Sequence, residues 1–262
     1  MSEPSSGAEA RSDGDGRPSD EGSPRSLWPR LEARDLEVAL GGRPVLRSVS
    51  LSVRAGEVLG IFGPSGAGKT TLFRTLAGEL QPSRGVVRLG DRDVTRLPLW
   101  QRARLGFGWV PQTPSVLLDL TVAENLEVFS SFAAPEGATR RPAREIAEEL
   151  GLGGRADVAA GALSGGERRR LELARALSAS PRVLLCDEPF AAIDPAGTPA
   201  VAEHIRAAAA SGAAVVIADH HVAEALRLCH RALLLLEGEV AVVETTDAFT
   251  ANDLVRKHYV VL

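Results

Sequence analysis

Cysteine is scarce in this 262-residue chain: Cys186 and Cys229 are the only two, and they form no metal or redox spacing. A disulfide framework is therefore excluded as the organising principle, and the usage suits a reducing cytosol. Long apolar runs are missing as well. The longest, at residues 213–218 and 232–236, are strand-sized and fall short of the ~20 residues that a membrane-crossing helix requires. Any membrane association is expected to run through a partner protein. The first 30 residues hold no apolar h-region, so no signal peptide is expected. Nor is there a large excess of either charge: the formal net charge is −4, which gives no global reason to expect a nucleic-acid partner. Internal repeats are absent.

What is present is an ordinary globular composition, 44% hydrophobic and 24% charged, in a chain long enough for one large domain with a subdomain. Residues 1–29 are rich in Ser, Gly, Pro, Asp and Arg and cannot bury enough apolar surface to offset their ordering entropy, so they are expected to form a disordered tail. From Leu31 the pattern becomes strand-like, with alternating apolar positions at 31–38 and 45–53 around a turn at Gly41-Gly42-Arg43-Pro44. Further strands are expected at 58–62, 86–89 and 106–111. Residues 113–160 lose strand character and predict helices at 123–132 and 144–150, separated by a loop at 135–142. Thereafter helices and buried strands alternate, ending in a hairpin at 233–236 and 240–243. Such alternation implies an α/β fold with parallel strands and crossover helices.

Residues 63–71, Gly63-Pro64-Ser65-Gly66-Ala67-Gly68-Lys69-Thr70-Thr71, fit G-x-x-x-x-G-K-[ST] at every fixed position. An apolar strand precedes them and a helix ending at Gly78 is expected to follow, the context that turns a pattern into a phosphate site. Glycines let backbone N–H groups crowd round a β-phosphate, and the helix N-terminus adds a favourable dipole. Lys69 is expected to reach the β- and γ-phosphates, and the Thr70 hydroxyl to ligate Mg²⁺. The chain is thus expected to bind a nucleoside triphosphate.

A second apolar strand ends in Asp187-Glu188-Pro189. Alone this is a weak signal. Beside a phosphate loop it has a use: Asp187 to hold Mg²⁺ directly or through water, and Glu188 to orient or deprotonate the attacking water. Upstream, Leu163-Ser164-Gly165-Gly166-Glu167 carries a capping box, Ser164 with Glu167, which by itself only starts a helix. Gly165 and Gly166 nevertheless leave the N-terminal amides unshielded, as a second phosphate contact requires.

Taken in order, the phosphate loop, Gln112, the Leu-Ser-Gly-Gly-Glu segment, Asp187-Glu188, Asp194 and Asp219-His220 resemble ATP-binding cassette ATPases over about residues 31–262. The resemblance implies a P-loop NTPase domain at 30–262 with an antiparallel β subdomain, and a helical subdomain at about 113–178 inserted in a RecA-like core. It implies ATP and Mg²⁺ as ligands, and hydrolysis in a head-to-tail dimer with a second copy of the chain. Ser164, Gly165, Gly166 and Glu167 then act in trans, Gln112 senses γ-phosphate and Mg²⁺, Asp194 lines the dimer contact, and His220 rather than His221 contacts the γ-phosphate. Leu40 stands where the family stacks an aromatic on adenine, so weaker ATP affinity or a relaxed purine preference is expected. Residues 97–104, 163–170, 187–195 and 253–259 are similar to the lipopolysaccharide-export branch, with branched-chain amino-acid importers as the alternative. The branch implies a motor subunit on the inner face of the cytoplasmic membrane, with two permease subunits docking near 113–150. Cassettes acting on DNA or ribosomes carry a fused second cassette or a long coiled coil, which this chain lacks. A degenerate cassette would not need Lys69, Asp187, Glu188 and His220 together.

Overall fold

The computed structural model describes residues 29–133, 141–195 and 197–258. The expected tail at 1–29 lies outside them except for Pro29, as does most of the loop expected at 135–142.

Alternating apolar positions produce two long antiparallel strands, β1 (Pro29–Leu40) and β2 (Arg43–Arg54), joined through Gly41-Gly42. The chain continues through β3 (Val58–Phe62), α1 (Lys69–Ala77), β4 (Arg84–Leu89), β5 (Arg92–Asp93), α2 (Leu99–Arg104) and β6 (Phe107–Val110). A helical stretch follows: α3 (Val122–Ala133), α4 (Ala143–Glu149), two short 3₁₀ turns and α5 (Gly165–Leu177). Then come β7 (Val183–Asp187), α6 (Thr198–Ala210), β8 (Ala214–Ala218), α7 (Val222–Leu226), β9 (Arg231–Leu236), β10 (Glu239–Thr245), α8 (Thr246–Ala251) and α9 (Asp253–His258). Helix α1 starts at Lys69, directly after the glycine loop, and α5 at Gly165, two residues before its first good helix former, Glu167.

The strands form two sheets. β2-β1-β4-β5 is antiparallel throughout, while β10-β9-β3-β8-β7-β6 is parallel except for the edge strand β10. The period of two along each central strand divides its side chains between two cores. Leu59 and Ile61, Val183 and Leu185, Val216, and Leu233 and Leu235 face the core that includes α1 and the antiparallel sheet. Phe62, Leu184, Val215, Ile217 and Leu234 face the other, with Leu171 of α5, Val201 of α6 and Leu226 of α7. Covering both faces explains why these strands read as continuous apolar runs. No helix among the described residues is long and apolar enough to cross a membrane.

Helix α2 was not legible in the sequence. Six residues long, it is held in place by Arg102, whose side chain is fully buried. Its guanidinium donates to the carbonyls of Leu97 (2.9 Å), Thr95 (3.0 Å), Thr75 (3.0 Å) and Leu76, the last two at the C-terminus of α1. One cation thus joins four carbonyls from two segments, the Thr75 carbonyl also accepting from the Gly78 amide at 3.2 Å. Replacing Arg102 by alanine should lower unfolding free energy by about 3 kcal/mol, measurable by urea denaturation, with α1 and α2 losing amide protection first.

Candidate active site

The parallel strands all end on one edge of the central sheet, and register decides what meets there. Val110 pairs with Cys186, Cys186 with Ile217, and Asp187 with Ala218. The loops leaving β3, β6, β7 and β8 therefore converge on a cleft of about 320 Å³ whose lining includes Ser65, Lys69, Thr70, Gln112, Glu188 and His220.

Gly63 to Gly68 form the loop between β3 and α1. At Gly63 φ is +152°, and a side chain would run into the Leu235 carbonyl; at Gly68 φ is +105°, and a Cβ would sit 3.1 Å from the Val45 carbonyl. Only glycine meets both demands. Pro64, Ser65, Gly66 and Ala67 complete the turn, with the Ala67 amide donating to the Pro64 carbonyl at 3.2 Å. Helix α1 then starts with no side-chain cap and no acidic residue in its first turn. Its N-terminal amides and dipole therefore border the cleft ready for an anion, alongside Thr71 of the same turn. Lys69 Nζ donates to the carbonyls of Gly63 (2.6 Å) and Pro64 (3.0 Å). Burial pulls its ammonium below the usual lysine range, against the opposing pull of Asp187 and Glu188.

Opposite the loop stand the two carboxylates. Asp187 is buried at the end of β7, and its Oδ2 has no hydrogen-bond partner among the described residues. Burial, followed by the neighbouring Glu188 charge, pushes its carboxyl up to about 6. A buried anionic oxygen with an open valence, beside the Thr70 hydroxyl and the Gln112 amide, is a donor set of hard oxygens that fits Mg²⁺. Glu188 adopts φ +58°, an uncommon conformation for a non-glycine residue, with its amide donating to the Ala218 carbonyl at 2.6 Å. Its Oε1 accepts from Gln112 Nε2 at 2.7 Å and lies 2.9 Å from His220 Nε2. Thr70 Oγ1 in turn donates to Gln112 Oε1 at 3.3 Å. The two histidines diverge: His220 meets Glu188, whereas His221 Nδ1 lies 2.9 Å from Asp219 Oδ1.

Ser164, Gly165, Gly166, Glu167 and Asp194 do not line this cleft. Ser164 caps α5, its Oγ accepting from the Glu167 amide at 3.2 Å while Glu167 accepts from the Ser164 amide at 2.8 Å. Gly166 packs on the Ala192 carbonyl, and Asp194 Oδ1 accepts from the Gly197 amide at 2.6 Å ahead of α6. Leu40, at the end of β1, is 41% exposed; Val45 of β2 lines the cleft instead.

Sequence reasoning missed Arg169. This buried residue of α5 donates to the carbonyls of Pro111 (2.6 Å), Asp187 and Glu188 (2.7 Å), and pairs with Glu172 at 2.6 Å. It thereby ties the helix behind Leu-Ser-Gly-Gly-Glu to the strand ends carrying Gln112 and Glu188. The signal was an Arg–Glu pair at i, i+3 on the packed side of α5, hidden within a run of three arginines. A second missed feature is an apolar groove of about 1020 Å³ between α2 and α3, lined by Leu99, Trp100, Ala103, Val128, Phe129 and Phe132. Trp100, Val128 and Phe132 are each close to half exposed, and Arg104 lies over the Trp100 and Phe132 rings at 5.4 and 5.1 Å.

Because the Asp187 carboxyl is raised above its ordinary value, its contribution to stability is fully present below about pH 4 and is lost as pH rises through about 6. Asp187→Asn should therefore make the nucleotide-free protein more stable than the parent at neutral pH, with the difference vanishing below about pH 4. Thermal melts across that range check the sign.

Residues 46–191 match the family model described as ABC transporter. The chain is 41% identical over 230 residues to a lipopolysaccharide export system ATP-binding protein of Acidithiobacillus ferridurans, covering 87% of this chain and 95% of the relative. It is 39% identical over 234 residues to the Escherichia coli K12 protein of that name, covering 87% and 96%. Among solved structures, the dimeric post-hydrolysis state of an ATP-binding cassette bound to ADP and Pi superposes with a TM-score of 0.74 at 26% identity, covering 82% of this chain and 98% of the other. The cleft and these likenesses agree, and the chain belongs to the ABC transporter family as an ATP-hydrolysing, ATP-binding subunit.

Proposed function

We propose that residues 30–262 act as one cassette, with about 113–178 as its helical subdomain, and that it hydrolyses ATP to drive lipopolysaccharide export. The observation that carries the chemistry is the continuous hydrogen-bond chain from Thr70 through Gln112 and Glu188 to His220, beside the unpartnered Asp187 oxygen. The triphosphate lies on the loop at Gly63, Pro64, Ser65, Gly66, Ala67 and Gly68, with Lys69 offsetting its β- and γ-oxygens and Thr71 closing the turn. Mg²⁺, held by Thr70, Gln112 and Asp187, supplies charge neutralisation at the phosphates. Glu188 accepts a proton from water as that water's oxygen bonds to the γ-phosphorus. The bond to the β–γ bridging oxygen breaks, leaving ADP and phosphate. His220 holds Glu188 in place and contacts the γ-phosphate.

Ser164, Gly165, Gly166 and Glu167 sit outside their own cleft, which supports a role on the γ-phosphate of a second copy, with Asp194 in the contact between copies. Closing that sandwich needs nucleotide, and hydrolysis reopens it. The groove between α2 and α3 is apolar, solvent-exposed and flanked by Arg104, features that suit a short amphipathic helix from each of two membrane permeases. Its α3 wall falls inside the expected docking segment at 113–150, and its α2 wall adds residues between 98 and 103. Seated there, the chain is peripheral on the inner face of the cytoplasmic membrane. The relatives named for lipopolysaccharide export, matched over nearly their whole length, support that branch over amino-acid importers.

Glu188→Gln should cut turnover by about 10²–10⁴-fold while ATP binding persists and ATP drives stable dimerisation, read by phosphate release and light scattering; near-normal turnover would refute the role. Leu40→Tyr should tighten ATP binding by about 1–3 kcal/mol, read by titration calorimetry against GTP. Tagged Glu188→Gln protein, purified with ATP from detergent-solubilised membranes, should bring down lipopolysaccharide-export permeases, and Phe132→Glu should lose them. Recovery of solute-importer permeases, or of soluble partners alone, would overturn the branch.

A further inference from the structure

Asp219 follows β8 immediately and precedes both histidines. Its side chain is 1% exposed, and among the described residues every hydrogen bond to it comes from one of two loops. Oδ2 accepts from the Phe190 amide at 2.9 Å, in the loop that leaves Glu188. Oδ1 accepts from the His221 amide at 2.8 Å and lies 2.9 Å from His221 Nδ1, in the loop that carries His220.

We propose that Asp219 is a positioning residue for hydrolysis, a buried carboxylate that fastens the Glu188 loop to the His220 loop. This rests on the reading of Glu188 as the proton acceptor. Glu188 is held in its uncommon φ of +58° from both sides: its own amide is tied to the Ala218 carbonyl, and the amide two residues later is tied to Asp219. His220 lies between Asp219 and a residue whose amide and ring both turn back to that same carboxylate. With both loops fastened to one side chain, Glu188 Oε1 and His220 Nε2 come to rest 2.9 Å apart. Two separate oxygens are needed, because the donors approach from two loops. A hydroxyl offers one oxygen, and an asparagine turns its NH₂ toward one of the donors.

The test uses the full chain in steady-state ATPase assays. Asp219→Ala should lower kcat by about 100-fold and Asp219→Asn by about 10-fold, the scale expected when a reacting group is slightly misplaced. The KM for ATP of Asp219→Asn should stay near the parental value, since the phosphate loop is untouched, while its melting temperature falls by only a few degrees, the cost of one unpaired buried donor. In a His220→Ala background, Asp219→Asn should cause a smaller fall in kcat than in the parent, because one of the two loops it fastens no longer carries its imidazole while Glu188 is still displaced. Parental kcat in either variant would overturn the proposal. So would a fall in kcat accounted for by unfolding at the assay temperature, a raised KM, or losses that add in full in the double variant. Undiminished turnover by Glu188→Gln would instead mean that the underlying reading of Glu188 has failed, whatever Asp219 does.

Discussion

Burial of both faces of the central sheet is the constraint from which the rest follows. Side chains of β3, β7, β8 and β9 are divided between two cores, so no polar chemistry can be placed on either face without a large desolvation cost. The carboxyl edge is the exception. There the strands give way to loops, backbone amides become available and water can enter. Gly63, Gln112, Asp187 and His220 lie far apart in the chain, yet each follows or ends a strand on this edge. Their convergence is a property of the register, not of any local preference.

That edge is energetically costly to build. Adjacent carboxylates at 187 and 188 repel one another, and one of them has an oxygen with no partner. Lys69 is partly desolvated beside them, and Glu188 holds a backbone conformation that few residues adopt. These features weaken the empty protein and favour whatever brings compensating charge. On the proposed reading, a triphosphate on the loop and a divalent cation against Asp187 would do this together, so that ligand binding would relieve the same strain.

The site is also tied to distant surfaces through rigid contacts. Arg169 fastens α5 to the carbonyls of Pro111, Asp187 and Glu188. The cap at Ser164 begins that same helix, so a force applied at its N-terminus meets the catalytic edge within about one turn. On the other side, Arg102 joins the end of α1, whose start holds the phosphate loop, to α2 and the Trp100 wall of the groove. Both links use an arginine because its planar fork reaches several carbonyls that diverge in direction.

Much of this was legible in the chain. The residues at 63–71 specify a loop that only glycine-rich backbone can form, the apolar runs specify buried strands, and Ser164 with Glu167 specifies a helix start; each rests on neighbours in sequence. Local physics could not reveal α2, whose six residues are held by one buried guanidinium, nor Arg169, whose three carbonyls come from two different strand ends. Nor could it separate His220 from His221. Those two are equivalent as residues in a loop, and only the position of β8 against β7 turns one toward Glu188 and the other toward Asp219. The sequence by itself determined which groups are chemically able to act. The tertiary structure decided which of them meet, because distances across parallel strands are set by sheet register and packing, to which no short segment has access.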